Sequence, residues 1–475
     1  MGAIVGADIY VASSFGASYL GPFSLIVWGA AGIIAIVIAL AFAQCAALAP
    51  KVGGSYAYAK EAWGPFPGFV VGWSLWLAEW VSLAVFPVAF VRYLTFFFPD
   101  LVNSLAYQII IKGLFVTLLA TSNIVGSKAA GRTNDVLTLL KLSPLILFST
   151  IGLLFMFVHP ATTISNFLPF APLGFSNFGL AIVLIFWAYA GFEISTLPAD
   201  HIEDPGRTIP RAIVIGISIV TIFYLVTNIV LFGVRNYGQL ANDTAPLASA
   251  TVEAFSIYPS LVLIGGTFVG IGALISVAGS DESGMIGTAS LGYALAVDGL
   301  FPCVFAKIHR RFKTPYLAIV IQSATAFVAS LIGSLSLLVA TSVFLLGVAY
   351  VATSASVFSL RRKNKKPSFH VGGGRVIPVL GIVFSIFLIS QCTINQIILG
   401  IALILVGIPI FVMYAPKKEL KELKAEWLSP RSVLDRARKQ EKRFLAHLLA
   451  HVKHLYRRIA RKKPSQIQRE LRRED

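Results

Sequence analysis

Residues 2–16 read GAIVGADIYVASSFG, and residues 186–198 read FWAYAGFEISTLP. Each stretch lies inside an apolar run long enough to cross a membrane. Each interrupts that run with a glycine and an acid: Gly6 beside Asp8, and Gly191 beside Glu193. Unwinding a helix in hydrocarbon frees N–H and C=O groups, which are costly unless something binds them. A binding site can use them. Freed N–H groups at a half-helix start attract a carboxylate, and freed C=O groups at a half-helix end attract an ammonium or a cation. Glycine removes the Cβ and lets a ligand approach the backbone. Glycines in membrane helices also permit close packing, and for the first run alone that reading stands beside the other.

The rest of the chain supplies the membrane. Of 475 residues, 56% are hydrophobic, and the mean hydropathy is +0.79. Runs of 18 or more apolar residues recur along the sequence, each long enough for about 30 Å of hydrocarbon. Twelve are expected to span: roughly 2–19, 21–48, 66–96, 104–126, 136–157, 177–198, 212–234, 260–297, 316–334, 336–360, 376–393 and 396–415. The alternation of a β-barrel strand is absent. The chain therefore reads as an all-α polytopic membrane protein. Spans one and six, the two interrupted ones, stand five apart, as an inverted repeat of two five-helix halves requires. No residue identity between the halves is detectable.

Charge sets the orientation. Lys51 and Lys60 follow span two, Lys128 and Arg132 span four, and Arg207 and Arg211 span six. Lys307, Arg310, Arg311 and Lys313 follow span eight, and Arg361 to Arg375 carries six more basic residues after span ten. Arg235 is the clear exception on the other side. The positive-inside rule then places the even-span loops and both termini in the cytoplasm of a plasma (cell) membrane protein. The tail from Lys417 onward holds nineteen Lys/Arg against eight Asp/Glu, so it supplies +11 of the net +17. Because it follows the last span directly, it is expected to bind anionic inner-leaflet lipid and not nucleic acid.

Several stretches resemble the amino acid–polyamine–organocation (APC) superfamily of secondary transporters. GADIY at 6–10 is similar to its span-one loop. Gly21-Pro22, and Ser24-Leu25-Ile26 on to Trp28, resemble its opening of span two. PKVGGSYAYAKEAWGPFPGFVVGW at 50–73 resembles P-x-x-G-G-x-Y-x-Y followed by G-x-x-x-G-F-x-x-G-W. WAYAGFE at 187–193, EDPGRTIPRAI at 203–213, VDGLFP at 297–302 and KTP at 313–315 follow in the family's order. The resemblance covers residues 1 to about 415.

It implies a LeuT-type fold of twelve spans: a five-plus-five inverted repeat (about 1–157 and 177–360) with two added helices at 376–415, and discontinuous spans one and six. It implies an amino acid permease working by alternating access, as symporter or antiporter. The substrate carboxylate would meet amides at Gly6, Ala7, Asp8 and Ile9. Its amine would meet carbonyls at Trp187, Ala188, Tyr189 and Gly191, with Trp187 closing over it. In proton-coupled relatives a span-five lysine stands where others hold an ion; here that is Lys141. Desolvation suits a lysine to proton transfer; a lysine near the cytoplasmic end can also snorkel.

The chain departs from the family in its acids. Asp8 stands where a small residue is usual, and Glu79, Asp281 and Glu282 lie outside the pattern; an acid at Glu193 is common. A charge at mid-bilayer costs about 2.5–3.5 kcal/mol on insertion scales, so these groups are expected to face a wet cavity, pair with Lys141 or bound cations, or hold protons. One of Asp281 and Glu282 is expected at the cavity. Two substrate readings stay open: an ordinary amino acid with proton coupling, or a basic amino acid, diamine or polyamine drawn by the acids. Only about five residues, roughly 8 Å of helix, precede the span-one loop, so an upstream start is expected.

Residues 431–463 follow helical amphipathic spacing and read as a surface helix on the inner leaflet. A coiled-coil contact is the alternative. His447, His451 and His454 there lack partners at ligand spacing. Cys45, Cys303 and Cys392 form no CxxC pair, and no cofactor or metal is expected. No nucleophile–base, metal or nucleotide motif appears, which argues against an enzyme. A passive pore is disfavoured by the paired breaks, and a non-transporting nutrient sensor stays open.

Overall fold

A computed structural model describes residues 5–51, 53–126, 130–197, 202–363 and 367–416; for 102, 103 and 130–140 it describes backbone alone. These residues form sixteen α-helices and, among the described residues, no strand. In order they are α1 (Ala7–Leu20), α2 (Ser24–Leu48), α3 (Ser55–Trp63), α4 (Pro65–Leu94), α5 (Leu105–Val125), α6 (Ala130–Val158), α7 (Pro160–Asn166), α8 (Phe178–Phe186), α9 (Pro205–Val234), α10 (Tyr237–Ala241), α11 (Pro246–Ala254), α12 (Val262–Val297), α13 (Tyr316–Ile332), α14 (Leu335–Arg362), α15 (Val376–Gln391) and α16 (Ile394–Tyr414). The chain divides into two units, Met1–Tyr414 and Ala415–Asp475. The basic tail helix expected at 431–463, and its histidines, lie outside the described residues.

Each of the twelve apolar runs falls on a helix. Nine described stretches are long and apolar enough to cross a membrane. The first, Ala7–Leu48, contains both α1 and α2, joined by a 3₁₀ turn at Gly21–Phe23 where Gly21 takes φ +64°. α13 and α15 are apolar but shorter, at 17 and 16 residues. Large apolar side chains are exposed around the outside, Leu114 and Leu118 of α5 at 58% and 60% among them. A water-facing surface rarely carries so much contiguous apolar area, and a lipid-facing one requires it.

Inside, α4 packs on α12 and α14, and α2 on α9 and α14. Trp73, Trp76 and Trp80 stack along α4 with ring centroids 5.4 and 6.4 Å apart. α6 meets α12 through a groove of missing side chains. A Cβ on Gly272 would run into Pro144, and one on Gly279 into the Lys141 stem. Small residues admit close approach in this way. Pro144 lies inside the helix that carries Lys141.

One end of the bundle is latched through α3. Gly54, at φ +51°, brings its loop against Thr196, and Gly53 N–H donates to the Leu197 carbonyl at 3.2 Å. Asp298, just past α12, accepts from Tyr56 Oη and from Lys60 Nζ, the latter at 2.7 Å.

Candidate functional site

α1 begins at Ala7, after an irregular stretch at Val5 and Gly6, and residues 5–14 are buried. Gly6 is the N-cap, at φ −151° and ψ −147°, and no side chain caps the helix. Asp8 is the acid of the first turn, where the dipole favours a negative charge. The preceding backbone is tied to α12: Ser280 Oγ donates to the Val5 carbonyl at 3.2 Å. A Cβ on Gly6 would occupy the Ser280 side chain, and Asp8 Oδ2 lies 3.2 Å from that same point. Glycine is required here by crowding and not by dihedral.

The second break follows α8. A 3₁₀ turn at Trp187–Tyr189 leads to extended Ala190, then to Gly191 at φ +107°, then to another 3₁₀ turn at Ile194–Thr196. That φ is open to glycine and strained for other residues. The Gly191 amide donates to Glu193 Oε1 at 3.0 Å. Trp187 Nε1 donates to Ser82 Oγ at 3.2 Å, and Ser82 shares a 2.9 Å hydrogen bond with Ser342. Tyr189 Oη donates to the Trp28 carbonyl at 2.9 Å. The turn is thus held by α4, α14 and α2.

The start of α1 and the turn after α8 meet at a small chamber. Asp8, Glu79, Trp187, Gly191 and Glu193, all singled out from sequence, line it. So do Ser82, Phe86 and Ser280, which were not. About 30 Å³ of the chamber is open to the centre of a water molecule, room for about two or three waters. Glu193 is 1% exposed, and its Oε2 has no hydrogen-bond partner.

The other expected residues lie nearby. Gly6, Ala7, Ile9, Ala188 and Tyr189 are buried beside the breaks and do not line the chamber. Lys141 is 1% exposed, so its ammonium is inside the protein and not at the headgroups, and it donates to Ser280 Oγ at 3.4 Å. Neither Asp281 nor Glu282 reaches the chamber. Successive helical residues turn by about 100°, and it is Ser280 that faces in. Glu282 accepts from Ser122 Oγ of α5 at 3.1 Å. Asp281 is fully buried, with neither carboxylate oxygen hydrogen-bonded. Ser82 and Phe86 had a signal: with Glu79 and Leu83 they fall at i, i+3, i+4 and i+7 on one face of α4. Among the described residues, no cluster of His, Cys, Asp or Glu could hold a metal.

Comparison with known proteins bears on this geometry. A family model described as amino acid permease matches residues 1–417. The branched-chain amino acid permease BcaP of Bacillus subtilis is 26% identical over 88% of this chain and 91% of its own. The serine/threonine exchanger SteT of the same organism is 26% identical over 88% and 94%. The human b(0,+)-type amino acid transporter 1 is 27% identical over 83% and 81%.

Proposed function

The chain belongs to the amino acid permease family, and from that premise we propose that it is a secondary transporter carrying amino acids by alternating access. The observation that supports this best is the chamber where the buried start of α1 meets the break after α8. In this scheme the chain makes twelve crossings, arranged as a five-plus-five inverted repeat with two added helices. Both termini lie in the cytoplasm, and the basic tail rests on anionic inner-leaflet lipid. The solute's ammonium is received at the Trp187–Gly191 turn and by Glu193, and its other end at residues 6–9. Opening on either side moves the Trp187 wall.

Protons are the proposed coupling ion, with Lys141 as the coupling group. Lys141 touches Ser280, and Ser280 in turn holds the Val5 carbonyl. The charge state of the ammonium is therefore felt where α1 starts. The three lining carboxylates favour a second substrate reading, a basic amino acid or an amine.

Counterflow in proteoliposomes tests the proposal. Neutral amino acids, arginine, lysine, putrescine and spermidine would be offered with and without a pH gradient. Saturable counterflow of at least one solute is expected. Non-saturable flux would point to a pore, and binding without flux to a sensor; either outcome ends the transporter reading.

A further inference from the structure

The stretch from Ser368 to Gly374, between α14 and α15, lies across the end of α2 and the start of α9. Its Ser368 amide donates to the Ala47 carbonyl at 2.8 Å, and the Ser368 carbonyl accepts from Arg207 Nε at 3.4 Å. Gly206, in the first turn of α9, leaves the space that Ser368 fills: a Cβ there would fall 2.5 Å from the serine Cβ and Oγ. Val371 is buried against Ala43 and Ala47 of α2, with Leu40, Val214 and Phe369 packed around them. The Arg211 guanidinium covers the Phe369 ring at 4.9 Å. Gln44 fastens the far end. Its Nε2 donates to the Gly372 and Gly374 carbonyls at 3.1 and 3.2 Å, and its Oε1 accepts from Arg361 Nη2 of α14 at 3.2 Å.

From this we infer that residues 368–374 are a strap that staples the end of α2 and the start of α9 to α14 and α15, and that it lets go when the chamber opens to the cytoplasm. The inference rests on the proposed transport role and orientation of the chain, and adds a conformational device to them. α9 is the first α-helix after the break at Trp187–Thr196, so movement of that break reaches the strap through it. The chain itself joins the strap to α14 on one side and to α15 on the other. α2 and α9 therefore cannot move far from α14 and α15 without uncovering Val371 and parting the Gln44 contacts. Each hydrogen bond has a modest net worth and the apolar patch is small, as a fastening that opens in every cycle requires.

The test is KM measured separately at each face of the full chain, in proteoliposomes of determined orientation. Neutral amino acids, arginine, lysine, putrescine and spermidine serve as probes. Gln44→Ala and Val371→Ala loosen the strap and favour the cytoplasm-open state. Each is expected to lower KM at the cytoplasmic face and raise it at the outer face by about 3- to 10-fold, the scale of one or two buried methyl groups or hydrogen bonds. A purely structural defect lowers kcat and leaves both KM values alone. The converse variant, Ala47→Cys with Ser368→Cys and Cys45→Ser, is expected on oxidation to move the two KM values in the opposite directions, with reductant reversing the change. KM values unmoved, or moved alike at both faces, in both loosened variants or in the oxidised pair overturn the inference and leave transport standing. If the loosened variants fail to fold, the oxidised pair decides. Saturable counterflow of none of the probes by the wild-type chain removes the transport proposal and the strap's role together.

Discussion

The two breaks reach the same chamber by different means. The one before α1 is shaped by its neighbour: Gly6 is glycine because Ser280 of α12 fills the space a Cβ would take, and Val5 is tied to that serine. The one after α8 is shaped from within: Gly191 sits at φ +107° and bonds Glu193 two residues on. The first therefore depends on where α12 stands, and the second on its own glycine and acid together with its ties to α4, α14 and α2.

Substitutions that separate crowding from dihedral strain should expose the difference. Gly6→Ala is expected to lower transport by about 10-fold or more, since a buried clash costs about 1–3 kcal/mol. Ser280→Gly in the same chain should restore part of that loss, as read by counterflow rates. Gly191→Ala should cost about 1–2 kcal/mol in unfolding free energy, with transport reduced in step. No shrinkage of a neighbour should rescue it. If Gly191→Ala were rescued by a smaller contact residue, or Gly6→Ala were not, the contrast between the breaks would fail.

Lys141→Ala is expected to leave counterflow measurable while flattening uptake driven by a pH gradient. Lys141→Arg, always charged, should also lose the pH response. PH-driven uptake unchanged in both variants would remove Lys141 from coupling. The smallest effect belongs to the wall of the chamber. Trp187→Phe loses one hydrogen bond to Ser82, about 1 kcal/mol, and should raise KM a few-fold. Ser82→Ala should do the same, and the double variant little more. Additive losses would mean that Trp187 is held by something other than Ser82.

Much of this was legible because hydrophobic length is a strong signal. Each of the twelve apolar runs met a helix, α13 and α15 included, although these two are short. The turn after α8 was legible because a glycine near an acid is expensive inside hydrocarbon. What sequence could not fix was rotation about a helix axis. Ser280, Asp281 and Glu282 are consecutive and polar, yet only Ser280 lines the chamber. The near-absence of a hydrophobic face on α12 left nothing to set its phase. Ser82 was passed over because a serine in a membrane helix also serves packing. Its spacing from Glu79 carried the missing information.

The most direct test is an experimental density map of the full chain in a lipid nanodisc with the solute that counterflow identifies. The account predicts solute density between residues 5–8 and the Trp187–Glu193 turn, with an ammonium facing Glu193. Spans one and six, at 2–19 and 177–198, running as unbroken helices across the bilayer, or solute bound away from both, would contradict it.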